Sequence, residues 1–330
     1  MRAVLVQQPG DASQLYIGET ATPEPKELEV LVKIHSFCLN RMDIVQRRGF
    51  YPPPPGASSI LGVEMSGTVE KVGSSVTKFK QGDSIFGLMG GGAYAEYAVI
   101  HQDLAMHKPD ELSFEQAAAI PETWFTAYQA LFSVAHFTQG ESVLIHAGAS
   151  GVGVAAIQLA KQNGAKHIFA TVSSDEKVKF CESVGATRAI NYKTQDWAQV
   201  VADVTRGAGV NVIIDPVGKD YFVKDLNNMA VDARLVILAF MSGATVEKVP
   251  LDVILRKRLQ ILGSTLRSRP LNYQIELCKA VYENVIQHGF AQGTYKVFID
   301  KEFDWNDISA AHLFLESNQS MGKIVVHVTQ

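Results

Sequence analysis

The chain has 330 residues, 47% of them hydrophobic and 19% charged, with a formal net charge of −4. Such a length and composition suit a globular protein of about two domains, and the acidic balance argues against nucleic acid or an anionic membrane as a partner. Its three cysteines, Cys38, Cys181 and Cys278, are far apart and form no C-x-x-C pair, which excludes a zinc ribbon or disulfide scaffold and fits a reducing, cytoplasmic compartment.

The opening stretch "MRAVLVQQPG" is too short in its apolar run for a signal peptide and reads as a strand. No run of 18 apolar residues occurs, so no membrane span is expected. The first 110 or so residues are β-rich: "EVLVKIHSF" alternates apolar and polar positions, and "GVEMSGTVEKVG", "GDSIFGLM" and "AYAEYAVI" are short β-prone runs bounded by glycine. "YPPPPGAS", Tyr51 to Ser58, is a loop or polyproline segment, because proline removes donors and fixes φ.

From about Ser113 the texture changes. "SFEQAAAI" and "WFTAYQALFSVAHF" read as helix. Strands are then expected at Ser142–Ala147, His167–Val172, Arg188–Asn191, Val210–Ile214 and Arg234–Leu238, with helices near 151–163, 175–184, 196–205 and 221–230. "LQILGSTL", Leu259 to Leu266, supplies a sixth strand. Helices near 274–288 and 304–316 and a last strand, "GKIVVHV", return to the texture of the first segment. The expectation is an α/β chain in which a doubly wound parallel sheet is inserted into a β-rich domain built from both chain ends.

Between the first two elements of the alternating region lies Ala147-Gly148-Ala149-Ser150-Gly151-Val152-Gly153. Small residues between a strand and a helix let the backbone turn tightly and approach a pyrophosphate, while the helix N-terminus offers free N–H groups to the anion. Ser150 replaces the middle glycine of the usual G-x-G-x-x-G, so the position of the run between strand and helix carries more than the pattern itself. At the end of the second strand, where an acid would bond a ribose 2′-hydroxyl, stand Val172, Ser173 and Ser174, with Lys177 in the following turn. Ser173 and Lys177 offer donors to a 2′-phosphate, and "SSDEK" reads as a helix cap, so NADPH is the expected cofactor. Phe240 and Met241 follow a strand at the sheet edge where such folds bind ligands.

"LNRMDIVQRRGFYPPPPGAS", "ILGVEMSG", "AAAIPETWFTAYQAL", "LIHAGASGVGVAAIQLAK", "GAGVNVIIDPVG" and "NQSMGKIVV" together resemble the zinc-free quinone oxidoreductases of the medium-chain dehydrogenase/reductase superfamily. The resemblance implies a GroES-like catalytic domain over 1–122 and 267–330, a Rossmann NADPH-binding domain over 123–266, and homodimers formed through the Rossmann sheets. It places Asn40 and Asp43 beside the nicotinamide and Tyr51 near the substrate. The residues themselves also allow a helix cap and a surface charge for the first two, and simple loop packing for Tyr51. Thr126, Tyr192 and the small-residue loop match cofactor positions of the family, Asn318 and Lys323 fall towards the same site, Glu64 is expected as a structural hydrogen-bonder, and His146 as a core residue.

Zinc-dependent members of the superfamily carry Cys at the place of Asn40 and His at the place of Val63, and a four-cysteine structural loop is missing as well. No metal is therefore expected. A substrate that accepts hydride without a Lewis acid is needed, and quinones, ortho-quinones among them, fit because the electron pair enters a ring that becomes aromatic. The rival readings are an NADPH-dependent reductase of enone or alkenal C=C bonds, and a protein of the zeta-crystallin kind that holds NADPH without turnover.

Overall fold

The computed structural model describes residues 1–329. In chain order the elements are β1 (Arg2–Val6), β2 (Leu15–Glu19), β3 (Glu29–Cys38), α1 (Arg41–Arg47), β4 (Glu64–Val72), β5 (Ser84–Leu88), β6 (Tyr97–His101), β7 (Ala105–His107), α2 (Phe114–Ala118) and α3 (Pro121–Tyr128). The alternating region follows with β8 (Ser142–Ile145), α4 (Gly151–Gln162), β9 (His167–Val172), α5 (Asp175–Val184), β10 (Arg188–Asn191) and α6 (Trp197–Thr205). It continues through β11 (Val210–Asp215), α7 (Lys219–Asn228), β12 (Met229–Ile237), α8 (Leu251–Lys257) and β13 (Gln260–Gly263). The chain ends in α9 (Leu271–Val281), β14 (Ile299–Asp304), α10 (Ile308–Glu316) and β15 (Lys323–His327).

The residues divide into two compact units, Met1–Phe125 with Arg267–Gln330, and Thr126–Leu266. In the second unit six parallel strands run in the order β10-β9-β8-β11-β12-β13. Counted from β8 this is 3-2-1-4-5-6, the Rossmann order, which reverses between β8 and β11 and so opens a crevice at their C-terminal ends. Its strands are apolar on both faces: every residue of β8 is buried, and Leu144, Phe169, Ile190, Ile213 and Leu235 share one core with Trp197 and Leu226.

In the first unit β14-β15-β3-β4-β5-β7 form a sheet to which β6 adds by pairing with β3, and β1 pairs with β2 beside it. β3 is the spine, because it is ten residues long and pairs with β4, β6 and β15. The sheet's last two strands come from the end of the chain, as the shared texture of the two ends leads one to expect.

Several boundaries differ for local reasons. β8 stops at Ile145 because Ala147 takes a left-handed conformation, φ 53°, to begin the turn. The helix expected near 274–288 begins earlier and finishes in a π-helical stretch, Tyr282–Phe290. The elements outside the sequence reading include β2 and β7, of five and three residues, α8, none of whose residues is fully buried, and β14, whose "IDKEFD" is too polar to read as a strand.

Candidate active site

The turn between β8 and α4 is made by backbone. Ala147 supplies the left-handed residue, and Ser150 caps α4 by accepting the Gly153 N–H at 3.1 Å. A Cβ on Gly153 would lie 2.5 Å from the Gly148 carbonyl oxygen and 2.6 Å from that of Ala147, so only glycine closes this turn. A Cβ on Gly148 would lie 2.6 Å from the Ala170 Cβ on the neighbouring strand. Gly151 and Val152 form the first turn of a twelve-residue helix that follows directly on the C-terminal end of β8, leaving its first N–H groups without helical partners.

After β9, Ser174 caps α5 by accepting the Lys177 N–H at 3.3 Å, and Asp175 accepts from the Asn191 side chain at 2.7 Å. Asp175 thus has a structural partner and does not stand as a displaced ribose acid. Ser173 and Lys177 are half-buried beside it. Tyr192 lies just past β10, its ring 6.3 Å from Tyr221. Phe240 and Met241 are 64% and 50% exposed, an unusual surface for such side chains, and sit on a loop braced by Met241 N–H to Pro216 O and Ser242 N–H to Val217 O. These bonds bring the loop after β12 against the one after β11, at the switch point. Thr126 is half-buried on α3. His146 is a core residue: it is sealed between Thr171 Oγ1 at 2.9 Å and Asp225 Oδ1 at 2.8 Å.

The first unit holds a different kind of site, a knot of buried polar side chains. Asn40 precedes α1, and the Asp43 carboxylate reaches back to its N–H at 2.8 Å. The Asn40 amide donates to Glu64 Oε1 at 2.7 Å and accepts from Lys323 Nζ at 2.8 Å. Lys323 spends its other two protons on Glu64 Oε1 at 2.7 Å and the Leu39 carbonyl at 3.0 Å. Glu64 Oε2 takes the Glu122 N–H at 2.7 Å. The Lys323 and Glu64 charges are paired with each other and hydrogen-bonded, which is what lets them lie out of water. Lys323 therefore stands inside this knot with no donor left over for a phosphate, and its ammonium is held above the usual lysine range: burial is the largest single influence and opposes the charge, but Glu64, Cys38 and Glu122 together outweigh it. Asn318, expected near the cofactor, is exposed with a left-handed backbone and accepts from Arg41 at 2.6 Å.

Burial raises the carboxyls around the knot. Asp43 is pushed up to about 6 by burial, against the Asn40 N–H, the Tyr94 hydroxyl and Lys323, which lower it. Glu122 is pushed up to about 8, by burial first and the Glu64 carboxylate second. Asp43 is thus no surface charge. Tyr51 packs its ring 5.5 Å from the Arg267 guanidinium, which is itself tied to the Gly90 carbonyl at 2.8 Å and Gln46 Oε1 at 2.7 Å. The sequence reading did not single out Glu122, Tyr94, His312 or Arg267. An acid in a helix's first turn, a Tyr in a glycine-bounded run and a His inside a helix carry no signal by themselves. Gly62 is explained only in three dimensions: its φ is +90°, and the Tyr94 ring fills the space a side chain would need.

A zinc ion does not fit this donor set. Asn40 contributes an amide whose oxygen already receives an ammonium, Val63 is apolar, and among the described residues no three of His, Cys, Asp or Glu are grouped to hold a metal. Among the described residues no helix is long and apolar enough to cross a membrane.

Residues 151–281 match the zinc-binding dehydrogenase family and residues 26–110 the alcohol dehydrogenase GroES-like domain. Human quinone oxidoreductase is 31% identical over 330 residues, covering 99% of this chain and 97% of its own. The structure of Escherichia coli quinone oxidoreductase complexed with NADPH superposes with a TM-score of 0.87 at 29% identity, over 99% of this chain and 100% of the other. That of the CurK enoyl reductase gives 0.88 at 27% identity, over 99% of each chain. Together with the Rossmann strand order and the GroES-like sheet, these likenesses place the chain in the quinone oxidoreductase family of the medium-chain dehydrogenase/reductase superfamily, a family of oxidoreductases.

Proposed function

We propose that the protein is an NADPH-dependent, metal-independent reductase of quinones, ortho-quinones among them. The observation that carries this reading is the closed hydrogen-bonded knot of Asn40, Glu64 and Lys323, with Asn40 and Val63 at the places where zinc-dependent members carry their ligands. Without a Lewis acid to polarise an isolated carbonyl, the substrate must take hydride unaided, and a quinone does so because its ring becomes aromatic. The names of the human and E. coli relatives support the same substrate class.

When bound, NADPH supplies a hydride. The backbone of Ala147, Gly148, Gly151, Val152 and Gly153 would hold its pyrophosphate at the α4 N-terminus. The Ser150 hydroxyl accepts from Gly153 and so keeps its own proton to donate. Ser173 and Lys177 would take the 2′-phosphate, and Thr126, Tyr192, Phe240 and Met241 would flank the flat rings. Asn318 is assigned to the cofactor by resemblance alone. Asn40 serves by orienting Asp43 and Lys323, and Tyr51, held on Arg267, offers a phenol to the substrate.

A homodimer through the Rossmann sheets is part of the same reading. Among the described residues β13 ends the sheet with one edge unpaired, and Leu251 and Leu255 of α8 are 72% and 79% exposed near it in the chain. A monomeric mass in solution would refute it.

A second reading, reduction of enone or alkenal C=C bonds, is favoured by the likeness to an enoyl reductase. The test is NADPH oxidation with an ortho-quinone and with a 2-alkenal, before and after dialysis against a strong chelator, with oxygen uptake followed in parallel. Faster turnover of the quinone, unchanged by the chelator, is expected. Turnover of the alkenal alone would transfer the assignment to the second reading, and no NADPH consumption with any acceptor would leave a nucleotide-holding protein.

A further inference from the structure

Asp43 is 1% exposed, yet only one of its two oxygens is engaged. Oδ2 accepts the Asn40 N–H at 2.8 Å and the Tyr94 O–H at 3.1 Å, while Oδ1 accepts nothing among the described residues. Among the described residues the sealed side-chain atoms that lack a hydrogen bond are Ser36 Oγ, His167 Nδ1, Asp225 Oδ2, Arg267 Nη2 and Trp305 Nε1. Asp43 Oδ1 is not one of them, and no donor among the described residues occupies its lone pairs.

The hydrogen bonds behind Asp43 have a direction. Arg47 Nη1 lies 2.9 Å from His312 Nδ1, and a guanidinium only donates, so Nδ1 is the accepting nitrogen. Burial, reinforced by Arg47, pulls His312 down to about 3, so its ring is neutral and carries its proton on Nε2. Nε2 faces the Tyr94 oxygen at 3.3 Å, and Tyr94 then turns its own proton to Asp43. Arg47 is held in turn by the Gly10 carbonyl at 3.1 Å and by Glu316. The chain Arg47, His312, Tyr94, Asp43 donates one way throughout. With two donors fixed on Oδ2, a proton taken up by Asp43 has only Oδ1 to occupy.

We infer that Asp43, through its Oδ1–H, is the proton donor to the substrate reduced at this site, and that Tyr94, His312 and Arg47 are positioning residues that keep the proton on that oxygen. The inference rests on the quinone reading above. Hydride brings two electrons and one proton to the quinone. The Asp43 O–H bond breaks, the second O–H bond of the hydroquinone forms, and Asp43 is left as a carboxylate that water reprotonates. The groups facing Asp43 are Tyr94, Lys323 on β15, Glu64 on β4, Glu122 on α3, Arg267 and Cys38 on β3. Lys323 and Arg267 stay charged across the working range. Burial pushes the Cys38 thiol well up. Glu122 titrates near 8, and Asp225, paired with His146 in the Rossmann unit, is raised to about 6 as well, so the part of a transition near 6 that Asp43→Asn removes belongs to Asp43.

A donor must be protonated to act, so kcat/KM should fall as pH rises past about 6. Asp43→Asn should remove that limb and lower kcat about a hundredfold. Tyr94→Phe deletes a bond that favours the carboxylate and should move the limb to higher pH, a shift that a merely structural Tyr94 would not produce. An independent readout is the infrared carbonyl band of protonated carboxyls in the nucleotide-free protein: the part that Asp43→Asn removes should vanish near pH 6, while the Glu122 and Asp225 contributions remain in the variant. Turnover of quinone with wild-type kcat and an unmoved limb in both variants would overturn the donor role alone. Failure of wild type to reduce any acceptor would instead remove the quinone reading and the donor role together, whatever the band does.

Discussion

In the Rossmann unit the cradle between β8 and α4 is seven consecutive residues, Ala147 to Gly153, whereas the knot around Lys323 draws Asn40, Asp43, Glu64, Tyr94, Glu122 and His312 from separate stretches of chain. The cradle works through backbone N–H groups, and its side chains matter by being small. The knot works through side-chain charges, and its backbone matters only in bringing them together. One region should therefore be sensitive to volume and indifferent to charge, and the other the reverse.

The largest effect should come from breaking the knot's ion pair. Lys323→Ala leaves the Glu64 carboxylate, 0% exposed, without its cation, and an uncompensated buried charge costs about 3–5 kcal/mol. Urea unfolding should register that loss, and pairing the change with Glu64→Gln should recover part of it. A loss below about 1 kcal/mol would mean that water reaches the pair.

Next is a change of volume in the cradle. Gly153→Val drives a side chain into the Gly148 and Ala147 carbonyls, 2.5 and 2.6 Å from its first carbon. The fold should persist by circular dichroism while NADPH binding weakens about a hundredfold, ~2.7 kcal/mol. Unchanged affinity by calorimetry would reduce the glycine run to a packing turn.

The smallest effect sharpens the comparison by testing charge outside the cradle, on the neighbouring α5. Lys177→Ala should weaken NADPH about tenfold, leave NADH nearly untouched, and matter less as salt rises, because a phosphate contact open to solvent is screened. Equal losses for both nucleotides would make Lys177 a prop for α5 instead of a phosphate ligand.

The two regions also differ in how far they could be read from the chain. The βαβ alternation was legible because each strand and helix is a run of neighbours with its own period; His167–Val172, Arg188–Asn191 and Asp175–Val184 coincide with the reading. In the knot, Asn40 and Asp43 were readable as a helix cap and a charge but not as buried, since Asp43 could equally have been a solvated charge. Nothing near Tyr94, Glu122 or His312 in sequence marks them as partners of Asp43. Lys323, grouped with the cofactor residues from the chain, has its three protons committed to Leu39, Asn40 and Glu64.

The sequence by itself thus determined the fold class, the glycine turn with its helix N-terminus, and the absence of an acid after β9, because all three are set by residues adjacent along the chain. Only the tertiary structure decided the 3-2-1-4-5-6 strand order, the ammonium in the Asn40–Glu64 pocket, and which oxygen of Asp43 stays open. Those depend on burial and on hydrogen bonds between residues as far apart as Arg47 and His312, and desolvation energy is a property of what surrounds a group in space, not of what precedes it in the chain.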